Sequence, residues 1–329
     1  MKIMNKILSK SNSYNYYKTN FEKLKKENKE LIAEKESDEK NYENKIKKLN
    51  EKYGKETEKL NKKYNHDIRE LNKKYSHEIG EMNKNLNSLK NDLMNINHSE
   101  EIINNELKYA FVFNDTIKNS EWLKERNFSL VNSAANYSFM YSLYRILNDA
   151  QPKNILEMGL GQTTKLTSQY AKYFNDAKLT VLESDETWIE NFSKNLEISE
   201  NIQILNLDVE TFEYNNTINL RFKDISKIVE DEKYDLIIID GPRGFIVKDG
   251  KNELLDYSRS NIWQMIPSNL ADDFIIIIDD YERKGERNTM DHTKELLKEN
   301  DIDIFSYTSK GLKTQHAIFS EKYRFISWI

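Results

Sequence analysis

Carboxylates recur at the ends of short apolar runs in this chain: Glu157 in NILEM, Glu183 in LTVLE, Asp208 after IQILNL, Asp240 after YDLIII, and Asp279 with Asp280 after FIIII. Glu157 is followed by Met158-Gly159-Leu160-Gly161-Gln162-Thr163-Thr164. That pattern reads as a strand giving way to a helix through a turn whose bare backbone at Gly159 and Gly161 lets a ligand approach closely. Glu183 follows about twenty residues later, where a carboxylate accepts hydrogen bonds from both hydroxyls of a ribose. Asp208 is placed to reach an adenine edge. The third glycine of a dinucleotide fingerprint is absent, so the expected ligand is a nucleoside without a pyrophosphate. Asp240, Asp279 and Asp280, on adjacent strand tips, form a set of hard oxygen ligands suited to a divalent cation that lowers a hydroxyl pKa. Their plainer role is to cap helices or to bind water and cofactor.

The elements that must position these groups follow from the apolar pattern. Between Asn154 and Ser320, apolar runs of four to seven residues alternate with helical stretches, which implies a parallel sheet covered by helices on both faces. The runs NILEM, LTVLE, IQILNL, YDLIIID, FIIIID, IDIFSYT and HAIFS predict seven strands, the last two joined through a turn at Gly311 as an antiparallel hairpin. Ligands of such doubly wound sheets bind beyond the carboxyl ends of the strands, where strand order reverses. Residues 106–150, with Phe111, Phe113, Trp122, Phe128, Phe139 and Tyr144 at helix-like spacing, read as a helical lead-in packed on the 151–329 domain.

The first 105 residues differ in kind. The chain has 329 residues and three prolines, the first at Pro152. Residues 1–105 carry 23 Lys and Arg against 18 Asp and Glu, intermixed rather than clustered, so a nucleic-acid-binding face is not expected. Four blocks of eleven residues align from Leu49, Leu60, Leu71 and Met82, and their less polar positions form a stripe: Leu49, Tyr53, Thr57; Leu60, Tyr64, Ile68; Leu71, Tyr75, Ile79; then Met82 and Leu86, with Leu89, Leu93 and Ile96 beyond. Eleven residues span three helical turns, so the stripe stays on one face. A stripe so narrow on a long helix needs a partner helix, which predicts a coiled coil, taken as a parallel homo-oligomer. A lone charged helix or a disordered arm is the alternative. Having no cysteine, the chain has no disulfide and no thiolate site, in keeping with a cytoplasmic location. No run is long enough to span a bilayer. Ile3, Met4, Ile7 and Leu8 among lysines could touch an anionic membrane surface peripherally.

The acidic-Gly-x-Gly turn, the acidic second strand and the YDLIIIDGP strand together resemble the class I S-adenosylmethionine-dependent methyltransferases over roughly 153–320. The resemblance implies a Rossmann-like fold in which Gly159 and Gly161 pass beside the methionine part of the cofactor, Glu183 holds its ribose and Asp208 lies near its adenine, with Glu157 and Asp240 also among the cofactor-binding residues. Asp240, Asp279 and Asp280 also resemble, in position, the metal site of the cation-dependent catechol-type O-methyltransferases. A narrower likeness, carried by GLGQTTKL, VLESDETWI, YDLIIIDGPRGF and IIIIDDYER, is to polysaccharide O-methyltransferases of the glucuronoxylan type. On that likeness Arg243 reads a substrate carboxylate or phosphate through a bidentate guanidinium, and Arg259 is a weaker candidate. His292 and His316 are candidate general bases, His316 more in keeping with a structural role.

The expected activity is therefore methyl transfer to oxygen of a glycan or sugar intermediate, with Asp240, Asp280 and Arg243 as catalytic residues, S-adenosylmethionine as cofactor and a divalent cation at Asp240, Asp279 and Asp280. The coiled coil would make a homo-oligomer or dock the enzyme to a biosynthetic complex. The alternatives are an inactive methyltransferase-like scaffold, a small-molecule or protein acceptor, and a nicotinamide-dependent dehydrogenase.

Overall fold

In the computed structural model, residues 19–33, 35, 40, 46, 58–131, 134–194, 198–229 and 231–329 are described, with side chains of the long helix from residue 64 onward. The chain divides into two compact units, 1–101 and 102–329. Leu49, Tyr53 and Thr57 of the stripe, and Ile3, Met4, Ile7 and Leu8, lie outside the described residues.

Helix α1 runs unbroken over Glu58–Thr116. Along it Ile68, Leu71, Tyr75, Glu78, Met82, Leu86, Leu89, Leu93 and Ile96 are half-buried, whereas Tyr64 and Ile79 are exposed. Steps of three and four residues keep these positions on one face. The sequence pattern places Ile79 on this face, but Glu78 holds the position. Within the first unit Lys35 pairs with Glu78 at 3.2 Å and lies over the Tyr75 ring at 4.3 Å, so the neighbour of this part of the stripe is the same chain.

The second unit contains the predicted sheet. Helix α2 (Tyr137–Ala150) precedes β1 (Asn154–Met158), α3 (Gln162–Tyr173), β2 (Lys178–Glu183), α4 (Glu186–Ser193) and β3 (Ile202–Asn206). A hairpin β4 (Val209–Tyr214) and β5 (Thr217–Phe222) follows, then the single turn α5 (Ile225–Ile228), β6 (Tyr234–Ile239), and a second hairpin β7 (Phe245–Lys248) and β8 (Lys251–Leu254). Strand β9 (Leu270–Ile278), α6 (Lys284–Glu299), β10 (Phe305–Lys310) and β11 (Thr314–Phe319) complete it. The sheet order is β10-β11-β9-β6-β1-β2-β3; its strands are parallel except where β11 pairs antiparallel with β9 and β10. All seven sheet strands coincide with the seven apolar runs.

Both faces are covered, which is why the strands read as nearly continuous Ile and Leu. Ile155, Val181, Leu236, Ile238, Ile275, Ile277 and Phe319 pack with Phe139, Leu143 and Leu147 of α2 and Leu166 and Tyr170 of α3. Leu156, Met158, Ile237, Ile239, Ile276, Ile278 and Ile318 pack on the other face with Ile225, Met290 and Leu297. The direction of chain progression reverses between β1 and β6, so the tips of β1, β2, β6 and β9 surround the switch point.

Candidate functional site

The turn after β1 is built by two groups from beneath. The Glu157 carboxylate is fully buried and accepts hydrogen bonds from the hydroxyls of Thr163 (2.6 Å), Thr164 (2.9 Å) and Thr167 (2.6 Å), all in α3. Burial pushes its pKa up to about 7 against the lowering effect of those hydroxyls. Glu157 therefore sets the angle between β1 and α3, and its carboxylate faces the interior rather than the turn's open side. Gly159 adopts φ 104°, and a Cβ there would lie 2.9 Å from the Asp240 carbonyl carbon. Only glycine lets the tips of β1 and β6 approach so closely.

Glu183 closes the turn from the next strand. One carboxylate oxygen accepts from Leu160 N at 3.0 Å and the other from Ser184 N and Asp185 N at 2.6 and 3.0 Å. Trp188, in α4, donates its indole N–H to the Leu160 carbonyl at 2.7 Å. A Cβ added to Gly161 would meet nothing within 4 Å, so the turn has an open side. Asp208 lies two residues beyond β3 and is exposed; the neighbouring Leu207 N donates to Glu183 O at 2.8 Å. The sheet thus brings Gly159, Gly161, Glu183 and Asp240 to one place, with Asp208 next in line. The open side at Gly161, beside the Glu183 carboxylate held by Leu160 N, Ser184 N, Asp185 N and, at 3.4 Å, Ser184 Oγ, fits a ribose-bearing ligand.

At the tips of β6 and β9, Asp240, Asp279 and Asp280 offer oxygens within 4.8 Å of one another. Arg259, at 5% side-chain exposure, enters this cluster: Nη2 is 3.1 Å from Asp240 Oδ1 and 2.7 Å from Asp280 Oδ2, and Nη1 donates to the Asp279 carbonyl at 3.0 Å. Lys313 Nζ is 3.0 Å from Asp279 Oδ2 and 3.3 Å from Asp280 Oδ1; Arg283 reaches Asp280 Oδ2 at 2.9 Å; Gln315 donates to Asp279 Oδ1 at 2.7 Å. Arg259 and Asp280 both occupy the left-handed region, at φ 59° and 60°, which non-glycine residues seldom adopt outside constrained sites.

Burial works against the charges of Arg259 and Lys313, but the surrounding carboxylates outweigh it and hold both firmly protonated. Burial likewise raises Asp280, yet Arg259, Lys313 and Arg283 bring it below the ordinary carboxylate range. At Asp240 burial prevails over the attraction of Arg259, and its pKa rises, although a fifth of the side chain reaches solvent. Three carboxylates with three cations among them do not fit a vacant metal centre. The expectation of a divalent cation here is countered by the cations the chain itself supplies.

Other candidates lie elsewhere. Arg259 is committed to the carboxylates and cannot also read a substrate anion. Arg243 is exposed, 5.7 Å from the Phe245 ring centroid, and remains available to a ligand. His292 sits among Tyr214 and Trp263, with its ring nitrogens 3.3 Å from Tyr214 Oη and 3.0 Å from Glu295 Oε2. His316 stacks on Tyr281 at 4.3 Å, contacts Thr308 Oγ1 at 2.8 Å, and is held neutral by burial, which lowers its pKa to about 4. Its structural role is the one the sequence favoured. Lys313 and Gln315 stand in no local motif and are not legible as site residues; Trp188 lies within the VLESDETWI segment, but nothing local marks its indole as a partner of the turn.

Comparison with known proteins addresses the same region. Residues 136–231 match the family model of ribosomal RNA adenine dimethylases, a span that contains Glu157, Gly159, Gly161, Glu183 and Asp208 and ends before Asp240. No curated relative matches. Similar solved structures include a putative caffeoyl-CoA O-methyltransferase from Staphylococcus aureus (16% identity, TM-score 0.42, covering 64% of this chain and 99% of that one). They also include a putative O-methyltransferase from Klebsiella pneumoniae (14%, 0.42, 65% and 98%) and an O-methyltransferase from Bacillus cereus (15%, 0.37, 65% and 90%). The sheet order and the glycine turn give the second unit a Rossmann-like fold, and the model matched over residues 136–231 is that of a methyltransferase family. No helix among the described residues is long and apolar enough to cross a membrane.

Proposed function

We propose that this chain methylates an oxygen of its acceptor, with Asp240 as the base. The observation that carries the reading is the contact between the tips of β1 and β6: Gly159 lies against the Asp240 backbone, so a cofactor seated on the glycine turn has the partly exposed Asp240 carboxylate beside it. When bound, S-adenosylmethionine supplies an electrophilic methyl group and a sulfur leaving group. The chain's task is to align the acceptor oxygen with that methyl and to receive the hydroxyl proton, and a positioned carboxylate of raised pKa is suited to the second part. Glu183 and the Gly159–Gly161 backbone hold the nucleoside and methionine parts, with Asp208 at the adenine end. Arg259 fixes Asp240 through one oxygen.

The acceptor side lies outside the matched family model, so its chemistry rests on this chain's own residues. We take the acceptor to be a hydroxyl of an acidic glycan or sugar intermediate, read by the exposed Arg243, with the reaction in the cytoplasm. The support is the likeness of the DGPRGF and IIIIDDYER segments noted above. The half-buried stripe of α1 would join copies of the chain or dock it to a biosynthetic partner.

Incubating the purified chain with methyl-labelled cofactor and a host extract tests this. Label is expected in a glycan or sugar fraction, lost on Asp240→Asn, with cofactor binding by calorimetry retained. Label in no fraction despite cofactor binding would end the enzymatic reading; label in protein or nucleic acid alone would replace the acceptor.

A further inference from the structure

We propose that Arg259 and Lys313 are the resident cations of the Asp240–Asp279–Asp280 cluster and that the site takes no divalent metal. The inference deepens the methyl-transfer reading by naming how the site handles charge, and it rests on that reading only for the use to which the cluster is put.

The three carboxylates sit within a span that a hard cation can bridge, and the span is filled. Arg259 Nη2 stands between Asp240 Oδ1 and Asp280 Oδ2, 3.1 and 2.7 Å from them. Both oxygens of Asp279 are engaged, one by Lys313 at 3.0 Å and one by Gln315 at 2.7 Å. Asp280 faces Arg259 and Arg283 through one oxygen and Lys313 through the other. A metal with oxygen distances of about 2.0–2.6 Å would need these same atoms. Installing it would expel the guanidinium from its carboxylates into a pocket where the next acid, Glu286 Oε1, is 3.8 Å from Nε. A buried charge deprived of its partners is strongly unfavourable.

The backbone shows that the pairing is built in. Arg259 and Asp280 lie 21 residues apart, each in the left-handed region, and the Arg259 side chain is almost fully enclosed. A guanidinium delivers several directed hydrogen bonds in one plane, which suits fixed carboxylates as a point charge does not. One consequence concerns the acceptor. With no metal to chelate adjacent oxygens, it need not present a vicinal diol, and a single hydroxyl facing Asp240 suffices.

Electron paramagnetic resonance of Mn2+ mixed with excess full-length protein tests the proposal. The wild type should leave the free Mn2+ signal undiminished. Lys313→Met and Arg259→Met each remove one resident cation and should gain Mn2+ affinity by about tenfold or more, a gain cancelled by adding Asp279→Asn. Lys313 borders solvent, so its variant keeps the test usable if Arg259→Met does not fold. One equivalent of Mn2+ bound by wild type and lost in Asp279→Asn would overturn the proposal, as would folded variants that bind no better than wild type. Calorimetry with S-adenosylmethionine on the same samples separates the two readings: absent cofactor binding strikes the methyltransferase assignment and leaves the Mn2+ result standing.

Discussion

Gln315 Nε2 lies 2.7 Å from Asp279 Oδ1, and the same amide is saturated on every side: Nε2 also donates to Asn136 Oδ1 at 2.9 Å, and Oε1 accepts from Ser138 and Ser309 at 2.6 and 3.0 Å. Asn136 in turn donates to Glu106 Oε2 at 2.7 Å, and Glu106 also accepts from Tyr137 N and Leu312 N. A buried polar chain therefore runs from the end of α1 to the acidic cluster. Such networks fix one arrangement when complete and are costly when broken.

Replacing Gln315 by Leu removes four contacts at once and leaves Asp279, Asn136 and two serines short of partners. Each buried orphan costs about 1–3 kcal/mol, so the variant should lose at least about 3 kcal/mol in chemical denaturation. A loss under about 1 kcal/mol would mean that the network is not rigid in solution.

Glu157 makes stability depend on pH in a direction unusual for a carboxylate. Its pKa rises from an ordinary 4.5 in the unfolded chain to about 7 in the fold. The neutral form is favoured by folding, so its contribution is fully present below pH 4.5 and is lost as pH rises to 7. The shift corresponds to about 3 kcal/mol. Glu157→Gln should remove that slope, and urea melts at pH 5 and pH 8 should show the variant gaining on wild type at the higher pH. An equal difference at both pH values would refute the assignment.

Trp188 is the fluorophore nearest the turn, donating to the Leu160 carbonyl while 43% exposed. Cofactor seated at Gly161 should alter its surroundings. Titration with S-adenosylhomocysteine is expected to change tryptophan emission, and Trp188→Phe should abolish most of the change while Trp328→Phe, far along the chain at the C-terminal end, should not.

The sheet and its turn were legible in the sequence because their signals are local. The central strands β1, β2, β6 and β9 are aliphatic runs; Asp240 and Asp279 follow theirs directly, and Glu157 and Glu183 sit within the last two residues of theirs. The two small hairpins were missed although Asn215-Asn216 (φ 51° and 60°) and Asp249-Gly250 (φ 51° and 74°) are two-residue turn signals; their strands carry too few buried residues to stand out. The charge balance of the cluster was not legible. Lys313 and Gln315 reach Asp279 because β11 runs antiparallel to β9, a register that no motif records. Arg259 read as a substrate ligand because its burial depends on a loop folding back between β8 and β9.

The stripe of α1 gives the last prediction. Leu86, Leu89, Leu93 and Ile96 continue it beyond the contact of Lys35 with Tyr75 and Glu78, and all are half-buried. A helix with an apolar seam of this width gains most from a second helix, within the chain or from another copy. If copies associate through it, light scattering should give an oligomer for the full chain, and Leu89→Asp with Leu93→Asp should convert it to monomer by placing charges in the seam, with cofactor affinity unchanged. If the seam is closed within one chain, wild type is already monomeric and the same pair of substitutions lowers helical ellipticity instead. A wild-type oligomer that survives both substitutions would show that the stripe is not the contact.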